Sequence, residues 1–322
     1  MKLLKCVHNP PPGLSPKEAK NFEDENSVLL RAYGNDTSIL IDRERVSLTP
    51  HTPPPSPTTR TLKKVVFAGE CSSHLLLSRH GLAPPLLARF ANGLLYRFVV
   101  GRVCSVDDLA VPAIWSAVAR RLGEWHGVLP TYPADLVCGS SPVAPATDLW
   151  GVLHKWIQAL PAASDAQKAQ REELARELAV LETAQSSGGY GLKGQDGGWG
   201  LVTGHCDLLN GNVIILPGTT TTTNRECKVH LIDYEYATPC ERAFDIANHF
   251  AEWGGFECDY GKLPTRSTRR EFIRVYLASF HAHRKDGITV TETEVDGLMD
   301  EVDLFRGVPG FYWSVLSSRR RR

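Results

Sequence analysis

Two hydrophobic periods divide this chain. Over roughly the first hundred residues apolar positions alternate in short runs, the pattern of half-buried strands. Residues 28–33 and 38–41 flank the polar segment Gly34-Asn35-Asp36-Thr37 and predict a β-hairpin. Residues 86–90 and 94–100 flank Asn92-Gly93, a pair suited to a type I′ turn, and predict a second hairpin. Between them, residues 70–80 carry helical spacing and are closed by Gly81 and Pro84. From Val111 the period lengthens to that of a helix. Val111, Ile114, Trp115, Val118, Leu122 and Trp125 share one face, as do Leu149, Val152, Leu153, Trp156 and Leu160. Further helices are predicted over 166–184, 244–253, 269–283 and 291–305, the last with Val295, Leu298, Val302 and Phe305 inward. The expected fold class is α+β, with a small β-rich lobe at 1–103 and a larger, mainly helical lobe at 104–322.

Three segments interrupt these periods. Residues 188–200 hold seven glycines in thirteen positions, and residues 219–223 are five consecutive threonines. Residues 46–69, with prolines at 50, 53, 54, 55 and 57, separate a strand from the helix that should follow it closely. Proline removes backbone donors, so this stretch is expected to be a disordered insertion.

Composition narrows the classes of function. The 36 Lys and Arg residues balance 36 Asp and Glu, so no net charge draws nucleic acid, and the terminal Arg319-Arg320-Arg321-Arg322 reads as a solvated tail. Eight cysteines without a C-x-x-C pair read as reduced thiols. The start lacks a signal-like apolar region and no apolar run approaches a membrane span, so a cytoplasmic location is expected.

The chemistry concentrates in one region. His205, Asp207 and Asn212 follow the spacing H-x-D-x4-N, and the apolar run 229–232 delivers Asp233 at a strand end. Phosphoryl transfer asks for a carboxylate to take the proton of the attacking hydroxyl, an amide oxygen for Mg²⁺ and a second carboxylate for metal. Singly, each residue has an ordinary structural reading, and His205 keeps it as a prop for the loop. Together with Asp233 the set points to a kinase.

The string around Asp207 and Asn212, Ile232-Asp233-Tyr234-Glu235-Tyr236-Ala237 and the segment from Phe244 to Trp253 together resemble the choline/ethanolamine kinases, and within them the ethanolamine kinases. His80-Gly81-Leu82-Ala83-Pro84 and Asn92-Gly93-Leu94-Leu95-Tyr96 extend the resemblance. It implies a two-lobed protein-kinase-like fold with ATP and Mg²⁺ in the cleft. It implies phosphorylation of ethanolamine to phosphoethanolamine, which feeds phosphatidylethanolamine synthesis by the CDP-ethanolamine route.

By position, Asp207 becomes the catalytic base, Asn212 and Asp233 the metal ligands, Arg31 the phosphate contact and Glu70 its helix partner. Arg97, Phe98, Val99 and Val100 become the hinge along adenine, and Asp245 the brace of the catalytic loop. Glu252 becomes the pocket acid, with Glu235, Tyr236, Trp253 and Trp313 around the substrate. A primary ammonium wants carboxylates and a quaternary one wants aromatic faces. Both kinds of group are present, so the residues alone leave choline open. The partner is a small molecule rather than nucleic acid or membrane, and a homodimer stays open.

Departures from the family pattern add expectations. The phosphate-covering turn that opens the family is missing, so the first lobe is expected to be incomplete at its start. The last helix runs into arginines where a second pocket Trp belongs, so the second lobe is expected to be cut short. Residues 46–69 have the character of a translated intron. A catalytically impaired nucleotide-binding fragment is the alternative of another class.

Overall fold

The computed structural model describes residues 2–32, 69–90, 93–131, 148–187, 201–218 and 227–320. The predicted strand at 38–41, the Gly- and Thr-rich tracts and all but Gly69 of the insertion lie outside them, as does the side chain of Glu70. The chain divides into two compact units. The first comprises Met1–Val99, Tyr132–Ala146 and Tyr234–Tyr236, and the second Val100–Thr131, Thr147–Asp233 and Ala237–Arg322.

The first unit holds β1 (Lys2–Cys6), α1 (Pro16–Asn26), β2 (Val28–Ala32), α2 (Gly69–Arg79), β3 (Leu86–Phe90) and β4 (Gly93–Arg97). Its sheet is antiparallel in the order β1-β2-β4-β3, so β2 pairs with β1 and β4. This register sets Arg31 between Leu3 and Leu94. The hairpin predicted around Asn92-Gly93 is β3–β4, but its second strand ends at Arg97 instead of residue 100. There the Phe98 N–H leaves the ladder and donates to the Ser27 carbonyl at 3.1 Å. Periodicity misses α1 because that helix buries no residue. Its signal is local: Ser15 and Glu18 form a reciprocal capping box, with Pro16 in the first turn.

The second unit holds β5 (Arg102–Val103), α3 (Pro112–Val128), α4 (Leu149–Gln158), α5 (Asp165–Ser187), β6 (Leu201–Gly204), β7 (Val213–Ile215) and β8 (Val229–Leu231). It continues with β9 (Thr238–Glu241), α6 (Arg242–Ala251), α7 (Arg266–Arg284), α8 (Glu292–Leu304) and α9 (Val308–Arg320). Two small antiparallel sheets, β5-β7-β8 and β6-β9, carry the loops that matter for chemistry. The helices pack around fully buried Trp125, Phe244, Phe272, Tyr276 and Tyr312. Burial of such aromatic area is the main source of stability in a helical unit. No helix among the described residues is long and apolar enough to cross a membrane.

Candidate active site

The segment that connects β6 to β7 folds as a tight loop because its backbone is held from both sides. Asp245 of α6 is fully buried and accepts the His205 N–H on Oδ2 at 2.8 Å and the Cys206 N–H on Oδ1 at 2.7 Å. Cys206 between them has φ of 61°, a left-handed conformation that these two bonds sustain. Oδ2 of Asp245 also meets His126 Nε2 at 3.0 Å, and the Tyr276 hydroxyl lies 2.9 Å from His126 Nδ1. Burial works against ionisation of Asp245, but the hydrogen bond and charge of His126 outweigh it and hold its pKa below the ordinary range. One turn along α6, His249 Nδ1 donates to the Leu208 carbonyl at 2.8 Å. Thus α6 fastens the loop on either side of Asp207.

Within the loop, Asn212 closes back on Asp207. Its Nδ2 donates to the Asp207 carbonyl at 2.8 Å and to Asp207 Oδ2 at 3.3 Å. With the NH2 committed there, Asn212 Oδ1 faces away from Asp207 and takes no hydrogen bond among the described residues. The strand β8 is tied to the same loop. The Ile232 N–H donates to the Asn212 carbonyl at 3.0 Å, and the Ile232 carbonyl accepts from His205 Nε2 at 3.0 Å. Asp233 follows at φ 64°, so both backbone groups of its neighbour fix where it begins. The three residues of the motif are thereby joined by hydrogen bonds that their spacing alone does not reveal. His205 is fully buried, burial lowers its pKa, and it props the loop as expected.

An oxygen-only pair such as Asn212 Oδ1 and the Asp233 carboxylate suits Mg²⁺, which takes one or two protein ligands and completes its shell with phosphate and water oxygens. No cage of three or more acidic, His or Cys side chains occurs among the described residues, and this mode of binding asks for none.

The remaining expected site residues fall in different surroundings. Arg31 is 3% exposed and ion-pairs with Glu235, a residue expected in the substrate pocket, within the first unit. Tyr236 is buried beside it in a turn. Arg97 donates to the Glu25 carbonyl at 3.2 Å; Phe98 has Lys5 Nζ 4.1 Å from its ring centre; Val99 and Val100 lie half-buried where the two units meet in sequence. Trp253, expected as a pocket wall, is instead 3% exposed, and its indole N–H donates to His249 Nε2 at 3.3 Å. It belongs to the interior that supports α6. Trp313 is half-buried and donates its indole N–H to Asn248 Oδ1 at 3.1 Å. Glu252 caps the end of α6 half-buried, its carboxylate without a hydrogen bond or ion pair among the described residues, and burial raises its pKa.

Sequence reasoning misses His126, His249 and Asn248 as site-supporting residues. The last two sit inside the Phe244 to Trp253 string, whose density of polar residues on an otherwise apolar helix was the available signal. His126 lies 119 positions from Asp245, and nothing in its spacing marks it.

A sequence model described as Choline/ethanolamine kinase matches residues 61–321. The chain belongs to the choline/ethanolamine kinase family. An ethanolamine kinase of Drosophila melanogaster is 33% identical over 307 residues, covering 91% of this chain and 49% of its own length. Ethanolamine kinase 1 of Homo sapiens is 28% identical, covering 90% of this chain and 56% of its own length. The chain thus spans about half the length of these curated relatives. Among solved structures, a Plasmodium vivax ethanolamine kinase aligns with a TM-score of 0.68 at 22% identity, covering 99% of this chain and 78% of its own. A Cryptosporidium parvum choline kinase aligns at 0.61 and 19% identity, covering 98% and 84%. These two alignments place the family member in the protein-kinase-like fold expected from its sequence.

Proposed function

We propose that this family member transfers the γ-phosphoryl group of ATP to the hydroxyl of ethanolamine, giving phosphoethanolamine. The observation that carries the reading is the hydrogen-bonded joining of Asp207, Asn212 and Ile232, which ties one carboxylate, an amide and the strand that leads into Asp233 to a single loop. Asp207 accepts the hydroxyl proton as the oxygen attacks in line; the Asn212 NH2 on Oδ2 orients that carboxylate. Mg²⁺ held by Asn212 Oδ1 and Asp233 supplies charge neutralisation for the β- and γ-phosphates. Arg31, buried against Glu235, keeps a guanidinium suited to forked contact with phosphate oxygens. The backbone of Val99 and Val100 serves adenine, since the Phe98 N–H is already spent on Ser27.

Ethanolamine is preferred over choline because Glu252 supplies an unpaired, half-buried carboxylate for a donor-bearing ammonium. Trp313 forms one wall, and Trp253, being interior, adds none. A quaternary head group gains little from a single aromatic face.

The test is a magnesium-ATP turnover assay with ethanolamine and choline in competition. Ethanolamine is expected to be consumed first. Asp207→Asn is expected to lower kcat at least a hundredfold while ATP affinity stays within threefold. Retention of a tenth of the parent rate would assign the base elsewhere, and preferential use of choline would overturn the choice of substrate.

A further inference from the structure

Asn248 sits one turn before Glu252 on α6 and is fully buried. An indole N–H only donates, so the Asn248 oxygen must face Trp313; the reversed amide would set donor against donor. The NH2 group is therefore directed elsewhere, and it has no hydrogen-bond partner among the described residues. A buried donor left unmade is costly, and in a folded protein it marks strain, water or a ligand. Glu252 is its converse, an acceptor without a partner on the same helical face. Side chains at i and i+4 lie about 5–6 Å apart at Cβ. An amino alcohol carries the complementary ends over a comparable reach: its ammonium only donates, and its hydroxyl oxygen is its one acceptor.

We infer that Asn248 is a substrate-positioning residue, whose carbonyl fixes the Trp313 indole and whose NH2 takes the hydroxyl oxygen of the amino alcohol while Glu252 takes the ammonium. The inference rests on the amino-alcohol reading above. Donor and acceptor four residues apart let the substrate enter in one sense only, because an ammonium turned toward Asn248 would meet two N–H groups. The hydroxyl is then presented with its oxygen held and its proton free for Asp207. A carboxylate at position 248 would attract the ammonium to either end and lose that polarity.

A ligand-by-protein cycle tests this. Calorimetric affinities for ethanolamine and for ethylamine, which lacks the hydroxyl, are compared in the presence of magnesium and ADP. The parent chain is expected to favour ethanolamine about tenfold. Asn248→Leu is expected to shrink that preference at least threefold while ATP affinity is unchanged. Asn248→Ala serves the same comparison where leucine overpacks the site. Tryptophan emission gives a second reading without turnover: Asn248→Leu should shift it to the red in the parent, but not in a Trp313→Phe background. Equal affinity for the two amines in a parent that phosphorylates ethanolamine would overturn the inference alone. So would a full preference retained by both Asn248 variants, or a spectral shift that persists without Trp313. A parent that neither binds nor phosphorylates ethanolamine would overturn the amino-alcohol reading and this inference with it.

Discussion

Asp245 accepts from three donors with two oxygens, and two of those donors are consecutive backbone N–H groups of the loop that carries Asp207. Asparagine in its place has one oxygen and an NH2, so at least one donor meets another donor in a fully buried site. Asp245→Asn is therefore expected to destabilise the fold by roughly 2–4 kcal/mol and to lower kcat at least a hundredfold, with KM for ATP within threefold. Urea denaturation and steady-state kinetics read the two effects separately. A variant with kcat near the parent value would show that Asp207 keeps its place without this brace. Asp207, Asn212 and Asp233 are legible in the sequence because a short loop and one strand fix their spacing. The donors on Asp245 are not, because His205 and Cys206 reach it across about 40 positions and His126 across 119. The ion pair of Arg31 with Glu235 spans 204 positions, and nothing in the spacing of the two residues reveals it.

Two glycines of α3, Gly123 and Gly127, face the backbone of α7 at close range. A Cβ added at Gly123 would lie 2.5 Å from the Tyr276 carbonyl oxygen, and one at Gly127 would lie 2.8 Å from that of Phe280. Both obstacles are helix backbone, which cannot yield as a flexible side chain would. Gly123→Ala is expected to cost about 1–3 kcal/mol by overpacking, in excess of the roughly 1 kcal/mol that alanine gains in helix propensity. Gly297 in α8 is the internal control. Its added Cβ meets nothing, so Gly297→Ala should stabilise by up to about 1 kcal/mol. Opposite shifts in the urea midpoint support close packing at Gly123, and a stabilised Gly123→Ala would refute it. The faces of α3, α4, α7 and α8 are readable from periodicity, since each buries a stripe of large apolar residues. How near two such helices come is not readable, because it depends on which residue of one meets which of the other. The strands β5 to β9 have two to four residues each, and only β8 shows in the sequence, as the apolar run 229–232; the others are too short for alternation to register.

Across the whole molecule, buried imidazoles set the response to acid. Burial pushes His74 in the first unit and His249 in the second down to about 4, and lowers His205 as well. His249 has a structural reason to stay neutral: Nδ1–H donates to Leu208 while Nε2 accepts from Trp253, and a proton on Nε2 would face the indole N–H. In the unfolded chain these residues titrate near 6.5, so between pH 6.5 and 4 the unfolded state binds more protons than the folded one. Stability therefore falls as pH drops through this window. For His74 and His249 together the loss between pH 6.5 and 5 amounts to roughly 3 kcal/mol. His281 opposes it: burial disfavours its charge, but Asp286 and Glu294 outweigh burial and raise its pKa, so its contribution is present in acid and lost as pH rises. The buried carboxylates of Glu241, Glu252 and Glu301, raised by burial, oppose it too, but less strongly than the two imidazoles pushed down to about 4 act. The urea midpoint is expected to fall steadily from pH 6.5 to 5, above the range where most carboxylates titrate. Because His249 holds the Leu208 carbonyl next to Asp207, kcat should fall with its protonation even where the fold survives. A midpoint that is flat from pH 7 to 5 would mean that these imidazoles titrate as they do in the unfolded chain, and that their burial carries no linkage.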